Sequence, residues 1–216
     1  MPQAEYVIRK FQMKDREEVR QLVCDTALMG DSCNRFFEGE EVFADALSMS
    51  FTDYEPESSF VTEVNHKIVG YVLGSKDIAR LSKISGTTIM PLIVKAIRQG
   101  IFVKKKNMIF FGRCLLSSLR GEFISPDFIE EYPATLHINL KEEYRGLDIG
   151  AQLIQTYLDY LRKLNVRGVH LATMSDKAGK FFAQNGFKLL FEGERSYFRH
   201  ILYKNIPLYI YGLKFK

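Results

Sequence analysis

Cysteine is scarce in this 216-residue chain. Cys24, Cys33 and Cys114 are an odd number and show no C-x-x-C spacing. That argues against a disulfide framework and favours reduced thiols and a cytoplasmic location. Histidine is equally thin. His66, His137, His170 and His200 are scattered without the spacing of metal ligands, so no metal is expected. Long apolar runs are missing too. The stretch 108–116 is broken by Gly112 and Arg113, far short of the roughly 20 residues that a membrane-spanning helix needs. The opening Met1-Pro2-Gln3-Ala4-Glu5-Tyr6 has no basic flank leading into an apolar stretch, so no signal peptide is expected. Acidic residues are nearly absent from one segment. Residues 76–120 hold ten Lys/Arg against Asp77 alone.

What remains is ordinary globular composition, 46% apolar and 26% charged. A chain of this length can bury roughly 70% of its unfolded surface without disulfides or metals. The formal net charge is +4. Without the basic segment the chain keeps 30 − 10 = 20 basic and 26 − 1 = 25 acidic residues, so one segment makes the whole protein basic. We expect a single domain over 1–216, with 76–122 as a helical insertion.

Periodicity supplies the elements. Residues 6–11 alternate as a strand. Over 14–28, Val19, Leu22, Val23 and Ala27 form one apolar helical face, with Asp15 as a candidate cap and Glu18 three residues on. Gly30-Asp31-Ser32 ends that unit, and 40–51 is helical again. Residues 60–64 and 67–73 are β-rich, with Asn65-His66 suited to a tight hairpin. Leu92, Ile93, Ala96, Ile97 and Phe102 give the basic segment helical spacing, with Lys104-Lys105-Lys106 in a loop. Residues 134–140 alternate, 149–164 carry a helical stripe, and 168–173 form a strand. A helix over 176–184 is stopped by Asn185-Gly186. Stretches 187–191 and 208–215 close the pattern. Strands alternating with helices predict an α/β sheet flanked by helices.

The most informative stretch is strand 134–140, then Tyr144-Arg145-Gly146-Leu147-Asp148-Ile149-Gly150-Ala151, then the 149–164 helix. A glycine-bearing loop opening into a helix N-terminus offers free amides and the positive end of the helix dipole to an anion. Arg145 adds a charge at the rim. A plain strand-to-helix turn remains the alternative. Some 25 residues on, Ala178-x-x-Phe181-Phe182-x-x-x-Gly186-Phe187 ends a helix and starts a strand.

In these features the sequence resembles the GNAT acetyltransferase superfamily. Tyr132-Pro133-Ala134-Thr135-Leu136-His137-Ile138-Asn139-Leu140 looks like a strand of the subgroup related to the acetyltransferase-like domain of some O-GlcNAcases. The resemblance is good over 132–187 and looser over the first 75 residues. It implies a mixed, mostly antiparallel central sheet flanked by helices, here with a basic helical insertion. It also implies acetyl-CoA as co-substrate, bound between two splayed central strands. The pyrophosphate would meet Arg145, Gly146, Leu147, Asp148, Ile149, Gly150 and Ala151. The pantetheine arm would bond backbone at Ile138, Asn139 and Leu140 as an added strand would. Ala178, Phe181 and Phe182 would flank the thiol end. The reaction implied is direct attack of a small primary amine on the thioester carbonyl.

Three positions depart from the family pattern. Asp148 stands where a second glycine is usual, either as an outward N-cap or with its carboxylate inside the anion cradle. Phe182 stands where a tyrosine general acid is frequent, and Asn139 replaces an acidic residue. His137, Glu142 and Tyr197 are the remaining candidates for proton transfer, with Glu143 beside Glu142. The basic segment is either a solvated helical face or an electrostatic lid drawing in an acidic acceptor or the CoA phosphates. Nothing beside it signals nucleic-acid binding, and a membrane-surface role for 92–111 has no dedicated anchor. The expected activity is an acetyl-CoA-dependent N-acetyltransferase acting on a small-molecule amine, acidic or an amino sugar. The alternative is a catalytically silent module of the same fold that binds a ligand or partner. Edge strands such as 208–215 leave a homodimer open.

Overall fold

Alternating runs rich in Val, Ile, Leu and Tyr make the strands, and stripes at helical spacing make the layers that cover them. The computed structural model describes residues 5–215, without the side chains of Thr87 and Thr88. Met1–Ala4, which carry most of the signal-peptide reading, lie outside the described residues.

The strands are β1 (Tyr6–Lys10), β2 (Phe60–Val64), β3 (Lys67–Ser75), β4 (Ala134–Leu140), β5 (Gly168–Thr173), β6 (Lys188–Arg195) and β7 (Ile206–Lys214). They form one sheet in the order β1-β2-β3-β4-β5-β7-β6. Every neighbouring pair is antiparallel except β4 and β5, which run parallel. The hairpin between β2 and β3 turns on Asn65 and His66, with φ of 47° and 60°. These are left-handed values that a two-residue hairpin turn requires.

Each face of the sheet carries its own helices. Beneath it lies α5 (Ile149–Lys163), whose Leu153, Ile154, Tyr157, Leu158 and Leu161 are fully buried. They pack with Phe60, Val72, Leu136, Val169 and Leu171. Each such aliphatic side chain contributes roughly 1.5–3 kcal/mol of burial. On the same side α6 (Asp176–Gln184) adds Phe182. The other face takes α1 (Arg16–Asp25), whose Val19, Leu22 and Val23 cover Val61, Ile68, Tyr71 and Leu73. Next to it lie α2 (Glu40–Tyr54), α3 (Ile78–Arg98) and α4 (Lys105–Leu119), with the short α7 (Arg199–Leu202) before β7.

Tyr157 fastens α5 to the middle of the sheet. Its hydroxyl lies 2.9 Å from the carbonyl of Ser75 and 2.7 Å from that of Thr135, the former on β3 and the latter on β4. The ring reaches them because Gly74 has no side chain. A Cβ there would sit 2.3 Å from the ring.

Three sequence expectations change. Asp15 does not cap α1 with its side chain. Its carboxylate pairs with Arg9 at 2.6 and 2.8 Å and accepts the Gln12 amide. Burial alone would raise its pKa, and these bonds outweigh that and hold it low. Lys104-Lys105-Lys106 is not a loop: Lys104 is the N-cap of α4, and Lys105 and Lys106 begin it. Strand β7 is no edge, because β6 pairs outside it from Lys188↔Gly212 to Arg195↔Ile206. The edges are β1 and β6. The homodimer expectation therefore loses the strand on which it rested.

Replacing Tyr157 by Phe strips two buried carbonyls of a donor. It should lower stability by about 1–3 kcal/mol in chemical denaturation, with an unchanged denaturant slope.

Candidate active site

Strands β4 and β5 part almost as soon as they meet. Their parallel ladder holds only Ala134↔Val169 and Thr135↔His170. Beyond Leu136 and Leu171 the facing edges diverge, leaving backbone N–H and C=O groups without a ladder partner. The gap opens toward the C-terminal ends of both strands. Two helices start there. After β4 comes the 3-10 turn Glu142–Tyr144, the loop through Gly146, and α5. After β5 comes Ser175, whose side chain caps α6. Both helix N-termini thus bring positive dipole ends to the open end of the gap.

The loop at α5 is built for close approach. Gly146 has φ +80°, and nothing lies within 4 Å of where its Cβ would be. Asp148 has φ 58°, is exposed, and makes no capping bond to the helix. The outward reading fits: Asp148 is the N-cap residue of α5 with its side chain exposed, though it makes no capping hydrogen bond, and no bond ties its carboxylate to the amides of the cradle. Aspartate is among the few non-glycine residues that tolerate this left-handed conformation, so it can stand in a glycine's place. Gly150 faces Phe181, 3.3 Å from its would-be Cβ. Ile149 turns its side chain into a buried cluster with Val64, Val69 and Leu140, leaving only its backbone toward the gap. Leu147 is exposed. Ala151 is partly buried in the first turn of α5. Arg145 points away from the rim: its Nε donates to the Leu140 carbonyl at 3.0 Å, and its guanidinium lies over Gly30. That occupies one of the acceptors expected to hold a pantetheine arm.

Side chains of β4 divide between the faces. Leu136 and Ile138 join the core above α5. His137 and Asn139 stand on the opposite face, beside Tyr71 and the end of α1. The Asn139 amide donates to the Tyr71 hydroxyl at 2.9 Å, and its nitrogen lies 3.4 Å from His137 Nε2. Tyr71 is fully buried, and burial raises its pKa. Burial also lowers the His137 pKa to about 4. His137 is therefore neutral at pH 7 and a poor acceptor for a proton from an alkylammonium. Glu142 is exposed, at the mouth on the β4 side.

Tyr197 lies on the β5 side. Its hydroxyl donates to the Met174 sulfur at 3.1 Å, and Met174 directly follows β5. Burial pushes its pKa up to about 12, so it keeps its proton at neutral pH. Phe123 stacks on its ring at 5.7 Å, and Phe110 approaches edge-on at 6.2 Å. Arg195 lies over Phe123 at 5.0 Å. Phe182, expected near the thiol end, is instead core. It packs against Phe187 and Tyr211 while its neighbour Phe181 faces the α5 loop. Ala178 is partly buried at the start of α6. The sequence reasoning missed Tyr71, Met174, Phe110, Phe123 and Arg195. The adjacent aromatics Tyr197-Phe198 and Phe36-Phe37 were the available signal for an aromatic wall. Among the described residues no cluster of three His, Cys, Asp or Glu could hold a metal, and no helix is long and apolar enough to cross a membrane.

Comparisons with known proteins bear on the fold. Residues 112–187 match the model of the acetyltransferase (GNAT) family. No curated protein sequence matches the chain. Solved structures of the same fold match nearly its full length. The crystal structure of a protein called SsHAT has a TM-score of 0.66 at 23% identity, covering 97% of this chain and 98% of its own. The Drosophila melanogaster polyamine N-acetyltransferase, described as forming N-acetylagmatine, has 0.64 at 14%, covering 98% and 100%. The Salmonella typhimurium protein yncA, solved with its cofactor acetyl-CoA, has 0.56 at 11%, covering 98% and 94%.

The His137 shift has a definite sign. Its folded pKa of about 4 lies below the unfolded value near 6.5, so the unfolded chain takes up the proton first. Stability supplied by neutral His137 is complete above pH 6.5 and is lost as pH falls toward 4. His137→Gln should remove roughly 1–3 kcal/mol of that acid-side slope, read as urea midpoints at pH 7, 5.5 and 4 for both proteins.

Proposed function

We propose that this chain, which has the GNAT acetyltransferase fold, is an acetyl-CoA-dependent N-acetyltransferase acting on the primary amine of a small molecule. One observation carries the reading: the parallel ladder of β4 and β5 breaks after two pairs, at the place where α5 starts with a glycine-bearing loop. The free strand edges suit an extended amide-bearing arm, and the loop amides suit a pyrophosphate. The residues that would hold acetyl-CoA are the backbone of Ile138 and Asn139 and the amides of Gly146, Leu147, Asp148, Ile149, Gly150 and Ala151. Phe181 would stand beside them. Acetyl-CoA supplies the thioester, and the chain's residues position it and handle the protons.

In this reading Tyr197 is the general acid. It is protonated at neutral pH and stands at the β5 side of the opening, where it would donate to the departing thiolate sulfur. The amine arrives as a free base or loses its proton to water, with Glu142 an exposed carboxylate at the β4 side. Neutral His137 orients water and substrate by hydrogen bonding and does not serve as the base. The acetylation of small amines by the polyamine enzyme supports the acceptor class, and amino sugars deserve screening beside polyamines. We place the reaction in the cytoplasm, on the three free thiols.

A silent binding module is the second reading. Asn139, locked to Tyr71, and the low proton affinity of His137 favour it.

Calorimetric titration with acetyl-CoA separates cradle from catalyst. Micromolar binding is expected, and Gly150→Leu should weaken it at least tenfold. No binding to folded protein free of CoA would overturn the proposal. With an accepted amine in hand, Tyr197→Phe should lower kcat by about 10²-fold with KM little changed. Full activity in that variant would remove Tyr197 from the chemistry and leave the fold reading intact.

A further inference from the structure

Helix α4 is amphipathic the wrong way round. Its inner face meets the protein at Asn107 and Ser117, both fully buried, and at Phe110. Asn107 accepts the Glu38 amide at 2.7 Å and donates to the carbonyls of Glu38 and Ile101 at 2.8 Å each. Ser117 donates to Glu122. Hydrogen bonds hold this face in place. The aliphatic stripe looks outward: Met108 is 58% exposed, Leu115 62% and Leu119 77%, at spacings of seven and four. An ordinary surface helix turns such a stripe to the core.

Helix α3 repeats the pattern. Its Ala96 is buried and Lys95 reaches Glu41 and Asp45 on α2, while Met90, Val94 and Ile97 stand exposed. Met90, Pro91 and Val94 line an open apolar groove with Arg98 at its border. The turn Ile101–Val103 that joins the two helices exposes Phe102 and Val103 as well. Among the described residues, fourteen of the twenty-three exposed large apolar side chains lie between Ile89 and Ile124. A concentration of that kind marks an interaction surface.

The charges decide the partner. Residues 76–120 carry ten cations and one anion, a formal +9. Lys83, Arg98, Lys104, Lys105 and Arg113 have no ion-pair partner among the described residues, whereas Lys76, Lys95 and Arg120 do. Three cations sit at the N-terminus of α4 with no side-chain cap, where the helix dipole disfavours them. Asp77 by contrast caps α3 in the ordinary way. Placement that opposes helix stability points to selection for something else. A second copy docked on this face would set +9 against +9. Exposed Leu, Ile, Met and Phe bordered by Lys and Arg are what an interfacial helix presents to anionic headgroups.

We propose that the outer face of α3 and α4 binds peripherally to an anionic lipid bilayer. The exposed apolar side chains enter the headgroup boundary, and Lys83, Arg98, Lys104, Lys105 and Arg113 meet the phosphates. The inner side of α4 stays against the aromatic wall of the cleft through Phe110, so the cleft is held beside the membrane surface. This inference rests on surface geometry and charge and does not require the acetyltransferase reading.

Vesicle co-sedimentation of the full chain tests it. Binding to phosphatidylcholine–phosphatidylserine vesicles should exceed binding to pure phosphatidylcholine at least tenfold and should weaken with added salt. Leu115→Glu with Leu119→Glu should reduce it at least tenfold. Lys104→Asp with Lys105→Glu should reduce it equally while leaving the thermal midpoint unchanged or raised, since these changes supply a cap and suit the dipole. That last pair of results is one that a merely structural role for the lysines would not produce. Absence of anionic-vesicle binding, or binding kept by both variants, overturns the proposal. So does a lipid-indifferent dimer, seen by light scattering, that Leu115→Glu breaks.

Discussion

The broken ladder between β4 and β5 is the constraint from which the rest of the molecule follows. A parallel pair that ends after Ala134↔Val169 and Thr135↔His170 leaves two facing rows of backbone donors and acceptors. Each such group costs about 1–3 kcal/mol if it is buried without a partner. The gap must therefore stay open to water or to a ligand with an amide-like backbone. Keeping it open requires the neighbouring strands to be held by other means. On one side β4 has six registered pairs with β3, from Gly70↔Leu140 to Ser75↔Thr135. On the other, β5 is paired along its whole length with β7. Tyr157, bonded to carbonyls of β3 and β4, pins α5 below the point of divergence.

Burial then sets the chemistry of the cleft walls. Three groups on or beside the diverging strands have charged forms that burial disfavours: His137 is held neutral, and Tyr71 and Tyr197 are held protonated. The charged side chains, Glu142 and Asp148, stand at the exposed rim. In the proposed reading, a neutral lining around the thioester, with helix N-termini at the far end for phosphates, would separate the two electrostatic tasks of an acyl-CoA site. Backbone amides and dipoles would handle the permanent negative charge, and neutral donors the charge that develops during reaction.

Much of this was legible in the sequence, for identifiable reasons. The α5 stripe at Leu153, Ile154, Tyr157, Leu158 and Leu161 is a strong 3.6-residue signal, and all five residues are buried. Asn65-His66 and Asn185-Gly186 announce turns through residues that tolerate positive φ, and the structure has positive φ at Asn65, His66 and Gly186. The misses are tertiary. Asp15 looks like a cap, but a long-range contest with Arg9 takes its carboxylate. Which of Phe181 and Phe182 faces the loop is a matter of helix rotation that a doublet leaves undetermined. The position of β7 inside the sheet depends on β6 pairing outside it, a non-local fact without a local pattern. Arg145 reads as a rim charge, yet its guanidinium finds the Leu140 carbonyl first.

Helix α4 shows why periodicity alone misleads about which side is inside. Its apolar residues occupy both faces, so periodicity by itself does not say which row belongs to the core. The structure assigns the inner side to Asn107, Ser117 and Phe110. Hydrogen bonds can do this because a fully satisfied buried amide is as specific as packing: Asn107 meets two partners in the 38–107 contact and a third at Ile101. A helix fixed by polar bonds needs none of its aliphatic side chains for the interior. Those side chains are then free to face outward without loosening the fold. The same element can thus wall the cleft with Phe110 and present Met108, Leu115 and Leu119 to another phase. Its two faces are chemically independent, so either can change while the other keeps its role.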